Sequence, residues 1–485
     1  MSQLSLSSFN FFAISPVIVL TLTGFFIIGI GLIFPKMDRR FHLIFALVGI
    51  IVTAVYTIKL WGESDLAFGG LFAVDNFALT FNIIFLIGAG LSILLAFNWH
   101  EESYLLYPEF FAIITFATVG MMLMAAGTNL LTIFLGLETL SISLYILVGF
   151  KRTEARSLEA AFKYFLLGAF ASGFLLYGIA FVYGAVGSLD LGKISAIVIT
   201  NTMSGSPLMI LGGLLIVVGL GFKVAMVPFH MWAPDVYQGA PTPITAFMST
   251  GSKAAGFAAM LRVLLSATDG TVMDWIFVLW ILSVLTMFVG NIAAIMQSNI
   301  KRMLAYSSIA HAGYILIGFV AWNEVGASSV IFYLLSYTFM NIGAFAVISI
   351  LSKKEKEFLE LHDFKGLAFQ RPIIAIAMAI FMFSLAGLPP TAGFVGKFYL
   401  FSAAVKAGHI PLVILGVINS MISLYYYLGV VVVMFMKESE QQLGPKVLRP
   451  SVSISLMFAV IGTLGLGLFP SQIMATFQQL FSQML

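Results

Sequence analysis

Cysteine is absent from the 485-residue sequence. That excludes disulfides, thiolate zinc sites and cysteine-ligated iron–sulfur clusters. No glycine-rich strand-to-helix fingerprint for a dinucleotide occurs either, so if the protein serves redox chemistry, the electrons pass elsewhere. Charge is scarce: Asp, Glu, Lys and Arg make up 9% of residues, where a soluble domain carries roughly a quarter. No basic n-region precedes Ser15 and no small-residue cleavage pattern follows, so the first apolar run reads as a retained span. Strand-like alternation is missing too, which rules out a transmembrane barrel.

What is present is apolar surface: 60% hydrophobic residues and a mean hydropathy of +1.05. Apolar runs of about 18 to 25 residues recur from end to end, long enough to cross about 30 Å of hydrocarbon as helices. The sequence predicts an all-α, polytopic membrane protein of about fourteen helices, near 15–34, 42–60, 77–97, 110–125, 130–150, 161–184, 207–240, 241–266, 273–297, 303–321, 326–352, 372–405, 410–436 and 452–470. Sixteen of the 24 Lys and Arg residues fall in alternate loops: Lys36, Arg39, Arg40; Lys151, Arg152, Arg156; Lys301, Arg302; Lys353, Lys354, Lys356, Lys365, Arg371; Lys437, Lys446, Arg449. Cytoplasmic loops accumulate such residues, so both termini are expected on the extracytoplasmic side of a bacterial cell membrane. The opposite loops and helix ends hold Lys59, Lys193, Arg262 and Lys406, and the loop from His100 to Glu109 is acidic.

Four lysines, Lys163, Lys223, Lys253 and Lys397, stand inside apolar spans together with Glu138. A central charge costs roughly 2.5 to 3.5 kcal/mol on insertion scales, so the five together point to function; Lys163 alone reads equally well as a snorkelling residue near a helix end. Two spans, 207–240 and 372–405, are too long and carry proline near the middle: Pro228 in one, Pro389 and Pro390 in the other. Proline removes a backbone bond and clashes with the preceding turn, and broken backbone survives in a bilayer when buried in protein or lining a hydrated cavity. Paired breaks in corresponding positions of two halves point to an ion pathway. The breaks lie five helices apart, which predicts two inverted five-helix repeats. The expected organisation is an N-terminal three-helix segment (1–109), a first repeat (110–270), a second (271–437) and a C-terminal helix with a short tail (438–485). Weak echoes accompany the breaks: Phe165-Leu166-Leu167-Gly168 against Tyr333-Leu334-Leu335-Ser336, and Val227-Pro228 against Leu388-Pro389.

A lysine in a dry helical bundle loses the hydration of its ammonium form and can titrate near neutrality. A nearby carboxylate restores the charge and a second ammonium opposes it. On this reading Glu138 and Lys163 form a movable pair, with Lys223, Lys253 and then Lys397 as successive proton carriers. His230 and His311 could relay protons; His230, beside a break, could equally bond free carbonyls, and His311 has Ser307 and Ser308 one turn before it. Asp235 and Tyr237 read as cap and interface residues near the cytoplasmic end. No metal site is expected.

The stretch VPFHMWAPDVYQGAPTPITAF (Val227 to Phe247) resembles the antiporter-like subunits of respiratory complex I, whose superfamily includes Mrp-type sodium/proton antiporters. The resemblance covers most of the chain. FLGLETLSISLYILVGF carries the family's fifth-helix glutamate as Glu138, RSLEAAFKYFLLGAF its sixth-helix lysine as Lys163, and GLGFKVAMVPFH the seventh-helix lysine as Lys223. STGSKAAGF supplies the central lysine as Lys253, NIKRMLAYSSIAHAGYILIG the histidine as His311, and SLAGLPPTAGFVGKFYLF the terminal lysine as Lys397. The resemblance implies a proton-pumping subunit without a redox centre, driven by quinone reduction elsewhere, with NADH, FMN, iron–sulfur clusters and quinone held by other subunits. The implied partners are the other membrane subunits of complex I, including antiporter-like neighbours, and the lipid bilayer; no nucleic acid is expected. The alternatives are an Mrp-type cation/proton antiporter subunit and the subunit 2 counterpart of a photosynthetic complex.

Overall fold

The structure is a computed structural model that describes residues 10–97, 107–199, 206–267, 273–352, 358–438 and 450–482. Lys353, Lys354, Lys356, Lys446, Arg449 and residues 100–106 of the acidic loop lie outside the described residues. In chain order the helices are α1 Ser15–Ile33, α2 Arg39–Lys59, α3 Asn76–Ala96, α4 Pro108–Ala126, α5 Leu130–Val148, α6 Ala155–Val186, α7 Leu191–Ile199, α8 Pro207–Val224, α9 Trp232–Gly239 and α10 Thr242–Phe247. They continue as α11 Lys253–Ala267, α12 Met273–Ile295, α13 Ile300–Ala321, α14 Glu324–Leu351, α15 Leu367–Gln370, α16 Pro372–Ala386, α17 Ala392–Lys406, α18 Ile410–Met436, α19 Pro450–Leu468 and α20 Pro470–Ser482.

Among the described residues twelve helices are long and apolar enough to cross a membrane. The other two expected spans are in pieces. Residues 241–266 fold as α10 and α11 joined by a π turn over Met248–Ser252, and residues 372–405 as α16 and α17. The expected span 207–240 is likewise α8 followed by the short α9. Three features escaped the hydropathy reading. A small hairpin pairs β1 Asp65–Ala67 with β2 Phe72–Val74 in antiparallel register, Leu66 opposite Ala73. The nine-residue α7 and the thirteen-residue α20 are too short to register as spans.

Burial sorts the helices. The most apolar stretches of α13 and α14 are 94% and 83% buried, against 33% in α6, α18 and α19. The centre is therefore built from α13, α14, α3 and α4, and the outer helices turn apolar faces outward.

The same local construction recurs 170 positions apart. Gly120 on α4 lies against the backbone of Gly136 and Leu140 on α5, and Gly290 on α12 against that of Tyr306 and Ala310 on α13; a Cβ on either glycine would fall within 2.6 Å of a backbone nitrogen. Only glycine permits that approach. Asn129 caps α5 and Asn299 caps α13 through their side chains. Each also forms an antiparallel bridge, Asn129 with Asp190 and Asn299 with Glu360. Glu138 and Ser141 on α5 thus match Ser308 and His311 on α13.

The two breaks match as well. α8 ends on Ala225 (φ 58°) and α16 on Gly387 (φ 89°), both left-handed. Met226 N–H donates to Gly221 O and Leu388 N–H to Phe383 O, each at 2.9 Å, the six-to-one bond of a Schellman cap. This register sets Pro228 against Pro390, one residue beyond the Leu388-Pro389 pairing expected from the sequence.

Arg262, expected at a helix end, is buried in α11. Its guanidinium donates to Asp75 Oδ2 (2.6 Å) and Oδ1 (3.0 Å) and to Ala125 O, and lies 4.6 Å from the Phe77 ring. Asp75 also caps α3 by accepting from Ala78 N–H at 2.8 Å. Burial works against the Asp75 carboxylate, but the charge and hydrogen bonds of Arg262 and the capping N–H outweigh it and hold its pKa below the ordinary value. The stabilisation is present above the ordinary carboxyl pKa and fades as pH falls through the lowered one. Arg262→Met, which strands the partly buried Asp75 carboxylate (side chain 23% exposed), is expected to cost about 1–3 kcal/mol; thermal unfolding of the assembled protein in detergent measures it, and Asp75→Asn added to Arg262→Met recovers part of the loss.

Candidate functional site

Lys223, in the last turn of α8, is 2% exposed. Its Nζ donates to Ser141 Oγ at 2.9 Å, and Ser141 lies one turn beyond Glu138 on α5, on the same face. A small cavity between α5, α6 and α8 is lined by Ser141, Ser172, Gly168, Gly219 and Lys223. The volume open to water centres is about 10 Å³, enough for one water. Glu138 accepts a short hydrogen bond from Ser172 Oγ of α6.

The expected Glu138–Lys163 pair does not occur. Lys163 stands nine residues before Ser172 on α6, roughly 13 Å along the helix axis, and binds Glu159 at 2.8 Å and Asp235 at 3.0 Å. The buried amine in the neighbourhood of Glu138 is Lys223. Lys163 instead belongs to an ionic cluster whose side chains are between 29% and 64% exposed. There Asp235 also accepts from Arg302 at 2.6 Å, and Arg302 donates to Gln238 at 3.1 Å. Asp235 is therefore more than a cap: it joins α6 and α13 through α9. Tyr237, expected at an interface, is fully buried, because its hydroxyl turns inward to Ser308 Oγ at 3.2 Å.

Lys253 follows the π turn directly and is 2% exposed. Such turns inside α-helices recur at functional positions. Its Nζ donates to Ser308 O on α13. From there a file of polar groups runs through the core. His311, one turn on, bonds Tyr333 OH through Nδ1 (2.6 Å) and Tyr427 OH through Nε2 (2.9 Å); Tyr427 also bonds Ser307. The adjacent Tyr426 donates to Asn291 Oδ1 at 2.9 Å, and Asn291 Nδ2 donates to Tyr314 OH at 3.2 Å. The Tyr314 ring lies 4.6 Å from Lys397 Nζ.

Lys397 on α17 is 4% exposed. Its ammonium donates to Ala386 O (3.0 Å) and Leu385 O (3.3 Å), the carbonyls left open where α16 ends, and to Ser420 Oγ (3.0 Å). Gly387 gives it room: a Cβ there would come within 3.0 Å of Lys397 Cδ. At the first break Trp232 Nε1 donates to Phe222 O at 2.9 Å and Val227 N–H to Thr286 Oγ1 at 3.1 Å. His230 lies in this break, half-buried; among the described residues no hydrogen bond joins it to the buried lysines.

The structure thus buries Lys223, Lys253, His311 and Lys397 in the helical core with the half-buried Glu138 near Lys223, and leaves Lys163 and His230 at its margins. Sequence reasoning noted Ser308 beside His311 and placed Tyr237 at an interface, and missed Ser141, Ser172, Tyr333, Tyr427 and Asn291. Of those missed, Ser141 had a signal, its spacing of three from Glu138; the tyrosines read like interface aromatics. Hydroxyl, amide and imidazole groups at hydrogen-bond spacing can pass a proton by donating at one side and accepting at the other.

Two broken helices, each with a buried lysine at or beyond its break, packed about a polar file, define an antiporter-type membrane subunit. Residues 127–423 match the sequence profile of the family described as NADH:quinone oxidoreductase/Mrp antiporter, transmembrane. A Trichlorobacter lovleyi protein named NADH-quinone oxidoreductase subunit N is 49% identical over 97% of this chain and 96% of its own. Respiratory complex I from Thermus thermophilus contains a chain 37% identical with a TM-score of 0.82, covering 95% of this chain and 98% of that one. A chain of the Mrp complex of Dietzia sp. DQ12-45-1b shares the fold at 20% identity and a TM-score of 0.82, covering 97% of each chain. The chain belongs to the NADH:quinone oxidoreductase/Mrp antiporter family and, within it, to the NADH-quinone oxidoreductase subunit N group.

The Tyr427 hydroxyl bonds both Ser307 and His311, and its ring packs against Tyr426, which bonds Asn291. Tyr427→Phe keeps the ring and removes the link, so proton uptake coupled to turnover, measured in proteoliposomes holding the whole complex, is expected to fall about tenfold or more; Tyr306→Phe, outside the file, is expected to change it little.

Proposed function

We propose that this chain is the proton-translocating subunit N of an NADH:quinone oxidoreductase, moving protons along Glu138, Lys223, Lys253, His311 and Lys397. The observation that carries the reading is the line of buried polar groups from Lys253 through His311 to Lys397, hydrogen-bonded from Lys253 to Ser308 O, from His311 to Tyr427 and from Tyr426 through Asn291 to Tyr314, with Tyr426 packed on Tyr427 and the Tyr314 ring facing Lys397, in a chain whose charged residues are otherwise so few. Each of these three lysines rests on a hydroxyl or carbonyl rather than a carboxylate: Ser141 for Lys223, Ser308 for Lys253, Ser420 with two carbonyls for Lys397. Neutral partners accept a hydrogen bond from ammonium without fixing the charge as an ion pair does. A change in charge at Glu138 or at a neighbouring lysine then alters the balance between ammonium and amine.

The drive is quinone reduction in other subunits, which hold NADH, FMN, the iron–sulfur clusters and the quinone; this chain contributes no redox centre. Its partners are the other membrane subunits, including antiporter-like neighbours, and the bilayer. The 170-residue recurrence and the matched breaks support two halves of inverted orientation, one half-channel opening to each side. The distribution of Lys and Arg supports both termini on the extracytoplasmic side. The subunit N reading is favoured over the Mrp-type antiporter by identity: 49% to the Trichlorobacter protein against 20% to the Mrp chain.

Substitutions in the assembled complex test the proposal. Lys253→Ala is expected to lower quinone-coupled proton pumping at least about tenfold, and Glu138→Gln to slow coupled turnover. Undiminished pumping with Lys253→Ala contradicts the assignment.

A further inference from the structure

An aromatic cluster adjoins both the ionic cluster at Asp235 and the buried amine of Lys223. Tyr164 follows Lys163 directly on α6, and Trp232 precedes Asp235 by three residues on α9. One turn of each helix therefore carries both an ionic and an aromatic contact. The Tyr164 and Trp232 rings stack with centroids 4.5 Å apart and planes 14° from parallel, and both are fully or nearly fully buried. Phe222 packs 5.5 Å from Trp232, and Tyr145 meets Tyr164 edge-on at 4.8 Å. Lys163 and Asp235, neighbours of the stacked residues along α6 and α9, line a polar cavity of about 270 Å³ with Arg156, Glu159 and Gln238. Tyr145 and Phe222, which pack on the stack, line the 10 Å³ cavity at Lys223, whose Nζ lies 5.9 Å from the Tyr164 ring.

We propose that the Tyr164–Trp232 stack is a gate that keeps water in the outer cavity from Lys223, and that the bridge from Lys163 through Asp235 to Arg302 is the latch that holds it shut. α9 has eight residues and is flanked by the irregular backbone of the break and of Ala240-Pro241, so it can move as a unit between its longer neighbours. Asp235 is where charges from two of those neighbours, α6 and α13, fasten it. Glu159 competes for Lys163 from within α6, and Gln238 for Arg302 from within α9. When Lys163 turns to Glu159 alone, one of the two ties on α9 is released and Trp232 is free to leave the face of Tyr164. Lys163 and Asp235 act as positioning residues: neither touches the Lys223 cavity, and each governs access to it. This gives a role to the lysine that the proton file does not use.

The inference rests on Lys223 being a proton carrier, and access can be read separately from pumping. Because the chain has no cysteine, Ser141→Cys places a single thiol beside Lys223. Its reaction with silver ion is followed in the intact complex in nanodiscs, by alkylating after denaturation the thiols that escaped and reading the shift of this chain alone. With the gate otherwise native the reaction is expected to be slow. Trp232→Ala and Lys163→Gln are each expected to speed it about tenfold or more, and Asp235→Glu, which keeps the charge, to leave it near the starting rate. Equal rates with and without Trp232→Ala in an assembled complex, or fast reaction with the gate unaltered, would overturn the proposal. If Asp235→Glu prevents assembly, the two faster variants decide it. Normal pumping by Lys223→Gln alongside the expected labelling would sink the proton-carrier reading and leave the gate standing.

Discussion

The hydrogen bond between an open helix end and a buried donor is the interaction on which this molecule depends. In hydrocarbon an unpaired carbonyl costs several kcal/mol and so does an unpaired ammonium. At the second break the two needs meet: α16 stops at Ala386, and Lys397 fills the carbonyls of Leu385 and Ala386. At the first, the indole of Trp232 and the hydroxyl of Thr286 do the same for Phe222 O and Val227 N–H. A lysine held by carbonyl dipoles keeps its place whether or not it carries the proton, since the backbone around it is fixed by its own Schellman cap.

That arrangement depends in turn on close helix packing. Gly120 and Gly290 bring α4 onto α5 and α12 onto α13 at backbone contact, setting the faces that carry Glu138 with Ser141 and Ser308 with His311. Lys223 reaches the first face and Lys253 the second. The Arg262–Asp75 pair ties the far end of α11 to α3 and α4, which holds the π turn before Lys253 against the core.

The sequence revealed most of the frame. Hydropathy led to the twelve span-length helices among the described residues, most boundaries falling within a few residues of those expected, because a bilayer demands about twenty apolar residues whatever the packing; the expected spans 241–266 and 372–405 are instead broken into shorter helices. It also pointed to both breaks and to the buried Lys223, Lys253 and Lys397, since each is costly enough to stand out; Lys163, expected with them, lies in the exposed ionic cluster. It failed where partners are chosen by three-dimensional contact. Glu138 and Lys163 looked like a pair by helix order, yet nine residues along α6 separate Lys163 from the contact of Glu138. Tyr237, Tyr333 and Tyr427 could not be told from membrane-interface tyrosines until their hydroxyls were seen turned inward. Short α7, α20 and the hairpin lack any span-length signal.

The central claim is that water and polar side chains connect the buried amines through the core. A cryo-electron microscopy map of the intact complex, at a resolution that shows ordered water, tests it most directly. The account predicts water in the cavity lined by Ser141, Ser172 and Lys223 and continuous hydrogen-bonded density from Lys253 by way of His311 and Tyr427 to Lys397. A dry cavity, together with an apolar gap interrupting that file, would contradict it.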